Sequence, residues 1–186
     1  QFIRGGAVLQ EYRKRVTFPF LDYTPRWAQR IGLYSTQVDM TAGAPDQQIV
    51  LGGVRAGGLL CSEVQRQDLA ARESGRSMLI ISAGSEAVFI DDVASAYSLK
   101  AAQYRAAESG LPTIRANVLG PSGIVDRYGT LAAYYPRGRS GSWESVMVLE
   151  EPRPTLFSRW GNLPLYVALA SIAATAFWLR RKSAVH

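Results

Sequence analysis

Residues 163–179, LPLYVALASIAATAFWL, form an uncharged run in which Ser171 and Thr175 are the polar members. As a helix rising about 1.5 Å per residue the run extends about 26 Å, slightly short of the roughly 30 Å of a bilayer's hydrocarbon core. A buried C-terminal helix is the alternative, but such a helix would show a polar face and this one has none. Arg180, Arg181 and Lys182 follow at once. By the positive-inside rule that end is cytoplasmic, and everything before residue 160 lies outside, in the periplasm if the cell is bacterial. Asn162 can cap the helix, Pro164 suits its first turn, and Trp160, Tyr166 and Trp178 can sit at the interfaces. The expected organisation is an extracytoplasmic domain over 1–158, a transmembrane helix over 162–180 and a basic cytoplasmic tail over 181–186. The chain opens on Gln1 and shows no signal peptide, so it reads as a piece of a longer protein with further spans upstream.

The soluble portion alternates strands and helices. Short apolar segments at 7–10 and around Val16 precede a loop rich in proline and aromatic residues, FPFLDYTPRW, at 18–27. Residues 48–51 and 54–61 read as a strand pair joined by Gly52-Gly53. A helix is expected over 63–74, stopped by Gly75, and a buried strand at 77–82, SMLIIS. Residues 91–109 read as an amphipathic helix with Asp91 and Asp92 at its start and Gly110, then Pro112, at its end. Further strands fall at 113–118, 123–126, 131–135 and 145–149, with Arg127-Tyr128-Gly129 as a turn. The pattern is an α/β layered domain.

Composition restricts the chemistry. The only histidine, His186, is the last residue, and Cys61 is the only cysteine. Cys-His and Ser-His-Asp sites, the usual zinc, copper and haem ligand sets, and a disulfide within the chain are all excluded. Neither a cofactor nor a metal is expected, and catalysis must run on Cys, Lys, Asp and Glu. The net charge of +6 comes from 21 Lys and Arg residues that are scattered along the chain rather than gathered into a stripe, which argues against nucleic acid.

Cys61 falls where an apolar strand gives way to a helical pattern. Free backbone N–H groups at such a junction favour a thiolate and can bind an oxyanion. A lone cysteine in an apolar run is also an ordinary packing residue, and position alone leaves both readings open.

The segments YRKRVTFPFLDYTP at 12–25, LLCSE at 59–63, AAQYRAAESGLPTIRANVLGPSGIVDRYGTLAAYYP at 101–136 and GNLPL at 161–165 together resemble the carboxyl-terminal half of the apolipoprotein N-acyltransferases. These are membrane enzymes with a nitrilase-like domain of the carbon–nitrogen hydrolase superfamily. Tyr12, Lys14, Pro19, Phe20 and Pro25 keep the spacing of the family's Tyr-x-Lys-x-x-x-x-Pro-Phe-Gly-Glu-x-x-Pro segment. Cys61, Glu63, Arg105, Glu108, Pro112, Arg115 and Gly120 extend the match. The resemblance implies a partial α-β-β-α sandwich followed by one transmembrane helix. It makes Cys61 the nucleophile, Lys14 the group that stabilises thiolate and oxyanion, and Asp22 and Glu63 supporting carboxylates. It places the general base on a glutamate upstream of Lys14, for which Glu11 is too close, so the base is expected outside this chain.

The implied partners are a phospholipid acyl donor, a diacylated apolipoprotein acceptor and the bacterial inner membrane, with the catalytic domain facing the periplasm and the protein a monomer. Some positions depart from the family. Leu21-Asp22 stands for Gly-Glu, Ser62 for a tyrosine, Tyr97-Ser98 for Gln-His, and AGSEAVFI at 83–90 for an Asn-Asp-x-Trp-Phe-Gly stretch thought to position the acceptor. Lys14 could instead be a solvated lysine in the Arg13-Lys14-Arg15 cluster, and Arg13 and Arg15 read as dispensable neighbours. A membrane-tethered amidase and a decayed, non-catalytic homologue are the alternatives in function.

Overall fold

The computed structural model describes residues 2–4, 7–33, 39–87, 92–139, 141–142 and 144–183. Strands β1 (Phe2–Arg4) and β2 (Ala7–Gln10) pair into a small antiparallel ribbon, and one short helix, α1 (Arg26–Arg30), follows the aromatic loop. The main sheet begins with β3 (Ile49–Leu51) and β4 (Val54–Leu60), paired antiparallel across Gly52 and Gly53. Both glycines have positive φ, 57° and 84°, which the hairpin turn demands of both central residues.

From β4 the chain crosses over twice. A 3₁₀ turn (Cys61–Gln65) and α2 (Gln67–Glu73) lead to β5 (Leu79–Ser85), and α3 (Asp92–Ser109) leads to β6 (Thr113–Val118). Strands β4, β5 and β6 are therefore parallel, as a helical crossover requires. The antiparallel β7 (Ser122–Val125) and β8 (Leu131–Tyr135) complete a six-stranded sheet in sequence order from β3 to β8.

Alternation along the strands separates two cores. Leu59 and Ile80 face α2, where they pack with Leu69, Ala70 and Leu111. Each fully buried aliphatic side chain of this kind contributes about 1.5–3 kcal/mol. Ala56, Leu79, Ile81 and Ile114 face the other way, where Tyr12, Met147 and Leu149 cover them in part. Val118, on that same face, is left exposed. The described residues thus form one sheet with helices on one side, the α-β half of the expected sandwich. The buried stripe of α3 runs through Ser98, Ala101, Ala102, Arg105, Ala106 and Ser109, helical spacing in small and polar residues. Gly110, with φ of 71°, ends that helix.

Three expected elements differ. The helix expected over 63–74 starts as a 3₁₀ turn and is interrupted at Arg66, whose backbone is extended with φ of −93° and ψ of 101°. No strand forms around Val16, whose N–H goes to Glu63 rather than to a ladder. Residues 145–149 pair with no strand among the described residues. Met147 and Leu149 do pack inward while Val146 and Val148 are exposed, so the alternation was real and the ladder absent.

The chain ends in α4 (Leu156–Trp160), capped by the Thr155 hydroxyl, and α5 (Leu163–Ser183). Within α5 the stretch Leu163–Arg181 has a mean hydropathy of 1.4 and none of it is buried. It is long and apolar enough to cross a membrane, and it is not a core helix of the soluble domain.

Candidate functional site

Lys14 lies in a segment with no strand partner, so side chains must fix it. Residues 12–16 are held one by one. The Tyr12 hydroxyl donates to the Gly58 carbonyl at 2.8 Å, and Arg13 exchanges two hydrogen bonds with the Gln47 amide. The Gly43 N–H donates to the Lys14 carbonyl at 2.8 Å. The N–H groups of Arg15 and Val16 donate to Glu63 Oε1 at 2.5 and 2.9 Å. The Arg15 guanidinium reaches Glu73 at 2.8 Å and the Gly58 carbonyl at 2.7 Å. Lys14 and Arg15 are both buried, at 9% and 8% exposure, so the reading of a solvated basic patch holds for Arg13 alone.

The Lys14 ammonium pairs with Asp22, whose Oδ2 also accepts the Phe18 N–H at 2.7 Å. The shorter side chain at 22 therefore still closes the contact. Phe20, with φ of 65°, lies in the tight turn that brings Asp22 back, and its N–H bonds to the Tyr23 carbonyl. Glu63 is wholly buried, and its second oxygen accepts the Leu60 N–H at 2.8 Å. It thereby staples the lysine segment to the turn that carries Cys61.

Cys61 sits where β4 ends, with φ of 53°, and is exposed. Left-handed backbone at a non-glycine residue costs about 1–2 kcal/mol. It also turns the residue sharply out of the strand, so Cys61 is not a core packing residue. Gly84 on the neighbouring strand makes room for this turn, since a Cβ there would come within 3.1 Å of the Cys61 Cα.

Cys61 opens on a cavity of about 240 Å³ at the carboxyl ends of β4, β5 and β6, with Asp22, Ser98, Arg115, Asn117 and Glu86 also in its wall. Strand ends of this kind are where open α/β sheets place their sites. A groove of about 950 Å³ across the sheet and a hollow of about 320 Å³ beside Met147 are larger but contain no nucleophile. Lys14 is not in the wall of the smaller cavity; its partner Asp22 is.

The sequence matched Arg115 without giving it a role, marked Ser98 only as a departure from the family, and gave no sign of Glu86 or Asn117. Arg115 pairs with Glu86 at 2.5 Å and bonds to the Ser98 and Ser82 hydroxyls at 2.6 and 3.2 Å; Asn117 donates to the same Glu86 oxygen at 2.7 Å. Burial draws the Arg115 pKa below its ordinary value, and Glu86 and the nearby Cys61 sulfur offset part of that. Of the stretch 83–90 the described residues are 83–87. They end β5 and put a carboxylate into the cavity wall. Alternation along β6, which places Arg115 on the helix side with Thr113, was the one signal that pointed there.

In outline the arrangement is a strained, solvent-accessible thiol, a buried ammonium–carboxylate pair and a second buried ion pair around one cavity. A thiol so placed can take an acyl group, and the cations can stabilise the charge that develops as it does.

No family model matches the chain. In fold it is similar to an amidase from Nesterenkonia sp., with a TM-score of 0.51 at 19% identity over 71% of this chain and 48% of that one. It is similar also to a carbon–nitrogen hydrolase from Helicobacter pylori G27, with a TM-score of 0.50 at 15% identity over 59% and 45%. The fold is that of the carbon–nitrogen hydrolases.

On that carbon–nitrogen hydrolase fold the sequence is similar to curated proteins named apolipoprotein N-acyltransferase. That of Pseudomonas aeruginosa is 28% identical over 76% of this chain and 29% of its own length. That of Azotobacter vinelandii is 28% identical over 92% and 34%. The chain thus spans about a third of the length of these relatives. A mutant of the Nesterenkonia sp. AN1 amidase shows covalent addition of the acetamide moiety of fluoroacetamide at its active-site cysteine.

Proposed function

We propose that Cys61 takes an acyl chain from a membrane phospholipid as a thioester and passes it to the α-amino group of a diacylglyceryl-cysteine at the start of an apolipoprotein. The observation that carries this reading is the convergence of Cys61 and Asp22, the carboxylate that holds Lys14, on one cavity at the sheet's carboxyl edge. The names of the curated relatives and the apolar α5 support it. In this reading α5 spans the inner membrane and the domain before it faces the periplasm, beside its lipid donor.

The chemistry has two halves. The thiolate attacks the donor ester carbonyl, the C–S bond forms, and the ester C–O bond breaks with a proton delivered to the leaving alcohol. An amine then attacks the thioester carbonyl, the C–N bond forms, and the C–S bond breaks as a proton passes from nitrogen to the sulfur. The Lys14 ammonium, held by Asp22, stabilises negative charge on the oxygen in both halves. Asp22 and Glu63 are committed to Lys14, Phe18 and three backbone N–H groups, so neither is assigned as the thiol's base.

The experiment is an intact-mass measurement of the protein in its native membrane after incubation with phospholipid. An acyl adduct is expected, removed by hydroxylamine and absent in Cys61→Ser. An adduct that survives Cys61→Ser sinks the proposal. The second reading, an amidase, draws on the small size of the cavity, about 240 Å³, which suits a compact amide. Rapid release of the acyl group to water in the presence of the lipopeptide acceptor would favour it.

A further inference from the structure

Glu86 is 3% exposed and lines the cavity onto which Cys61 opens. Its two oxygens differ. Oε1 receives both Arg115 and Asn117, at 2.5 and 2.7 Å, which fixes the plane of the carboxylate. Oε2 is buried and has no hydrogen-bond partner among the described residues. A buried carboxylate oxygen without a donor costs of order 1–3 kcal/mol, and as the one acceptor-only atom in this state beside Ser62 Oγ and Arg115 Nε among the described residues of the cavity wall it calls for a donor.

Gly120 packs closely against this carboxylate, since a Cβ there would come within 2.4 Å of Oε2 and 3.0 Å of the Asn117 amide nitrogen, so any larger residue would displace it. The strand end is pinned as well, since the Glu86 N–H donates to the Val118 carbonyl at 2.9 Å. An oriented, acceptor-only oxygen in a water-poor wall selects a group that brings hydrogen-bond donors. Arg115 balances the charge of the carboxylate, so its approach does not require a second cation from the protein.

We propose that Glu86 recognises the acyl acceptor, its Oε2 accepting an N–H from the primary amine that attacks the Cys61 thioester. This rests on the acyl-transfer reading above and assigns the acceptor side of it. One amine N–H is held by Oε2, the lone pair attacks the thioester carbonyl, the C–N bond forms and the C–S bond breaks. A second N–H proton passes to the departing sulfur, and the carboxylate ends as it began. An oxygen fixed this way orients the nitrogen, and it discriminates against an acceptor whose nitrogen is already acylated and crowded.

The test is a binding measurement that needs no turnover. The full-length protein carrying Cys61→Ala is titrated with an S-alkyl-cysteinyl peptide with a free α-amino group, and with the same peptide N-acetylated. Glu86→Gln on this background keeps the shape but places an NH₂ or a weaker acceptor at the position, and should weaken the free amine about tenfold while leaving the N-acetylated peptide unchanged. Gly120→Ala, which displaces the carboxylate without touching its charge, should do the same. Thermal unfolding of each variant shows whether it is folded, and the N-acetylated peptide reports whether its cavity is intact.

Equal affinity of the parent and Glu86→Gln for the free amine overturns the proposal, as does an equal loss for both peptides in folded protein. Thioester formation on the protein that retains Cys61 is measured separately. Its absence overturns the acyl-transfer reading, while the difference between the two peptides still decides the role of Glu86.

Discussion

At the scale of single residues, backbone strain marks Cys61, and burial sets Lys14 and Arg15 apart from Arg13. Cys61 holds a left-handed φ of 53° that only glycine adopts without penalty. Cys61→Gly should therefore be more stable than Cys61→Ala by about 1 kcal/mol, read from chemical unfolding of the two thiol-free proteins. An alanine variant as stable as the glycine one would remove the strain from the argument. Lys14→Arg retains the charge but replaces a compact ammonium with a planar fork beside Asp22, and acyl transfer should fall about a hundredfold or more while the fold persists. Arg13→Ala should be mild. Arg15→Ala should not be, because it leaves buried Glu73 without its cation, and thermal melts should separate the two. Tyr12 adds a pH dependence. Burial raises the pKa of its phenol well above the ordinary value, with Glu63 and Glu73 adding to the rise and Arg15 opposing it. Below about pH 10 the phenol is neutral in both folded and unfolded chains and its contribution is complete. As pH rises further the unfolded chain ionises first, so stability is lost toward the folded pKa. Tyr12→Phe should flatten that alkaline decline in urea unfolding series taken from pH 8 to pH 11, about the ordinary tyrosine value.

At the scale of elements, the parts of the fold set by local pattern were legible and the parts set by distant side chains were not. Gly52-Gly53 between two apolar runs announced the β3–β4 hairpin, and the spacing of buried positions announced α3 up to Gly110. The junction at Cys61 was legible for the same reason, since a strand pattern stops there. The irregular segment at 12–16 was not, because its conformation is imposed by Gln47, Glu63 and Glu73, whose relation to it appears only in three dimensions. Glu63 shows the limit best. From sequence it is an acidic residue in the first turn of a helix, whereas in the fold it accepts three backbone N–H groups from two separate segments. Glu63→Gln should therefore act on both. One of its three donors would face an NH₂ group, with an expected loss of about 1–3 kcal/mol in unfolding free energy and a changed rate of Cys61 alkylation by iodoacetamide. An unchanged alkylation rate in a folded variant would mean that the staple does not govern the nucleophile's turn. The Glu86–Arg115 pair was hidden for a related cause: it joins the ends of β5 and β6, and the expected family motif drew attention to what residues 83–90 lacked.

For the whole molecule, the sole cysteine serves as a reporter of membrane orientation. If α5 spans the inner membrane with Arg180 and Arg181 inside, a membrane-impermeant maleimide should label Cys61 in intact spheroplasts as fully as after lysis. Labelling only after lysis would place the domain on the cytoplasmic side and overturn the orientation. The fold also orders the site in time. Lys14 leaves the ribosome before the residues that fix it, since its neighbours Tyr12 and Arg15 bond to Gly58 and Glu73, at sequence separations of 46 and 58. No ladder holds this segment in the meantime, and contacts so far apart must wait for the intervening chain. The ammonium reaches its working position only after β4, the Cys61 turn and α2 have been made and packed. During synthesis the thiol therefore exists before the ammonium is in place, and if Cys61 is the nucleophile proposed above, a nascent chain carries it unarmed until the domain has closed around both.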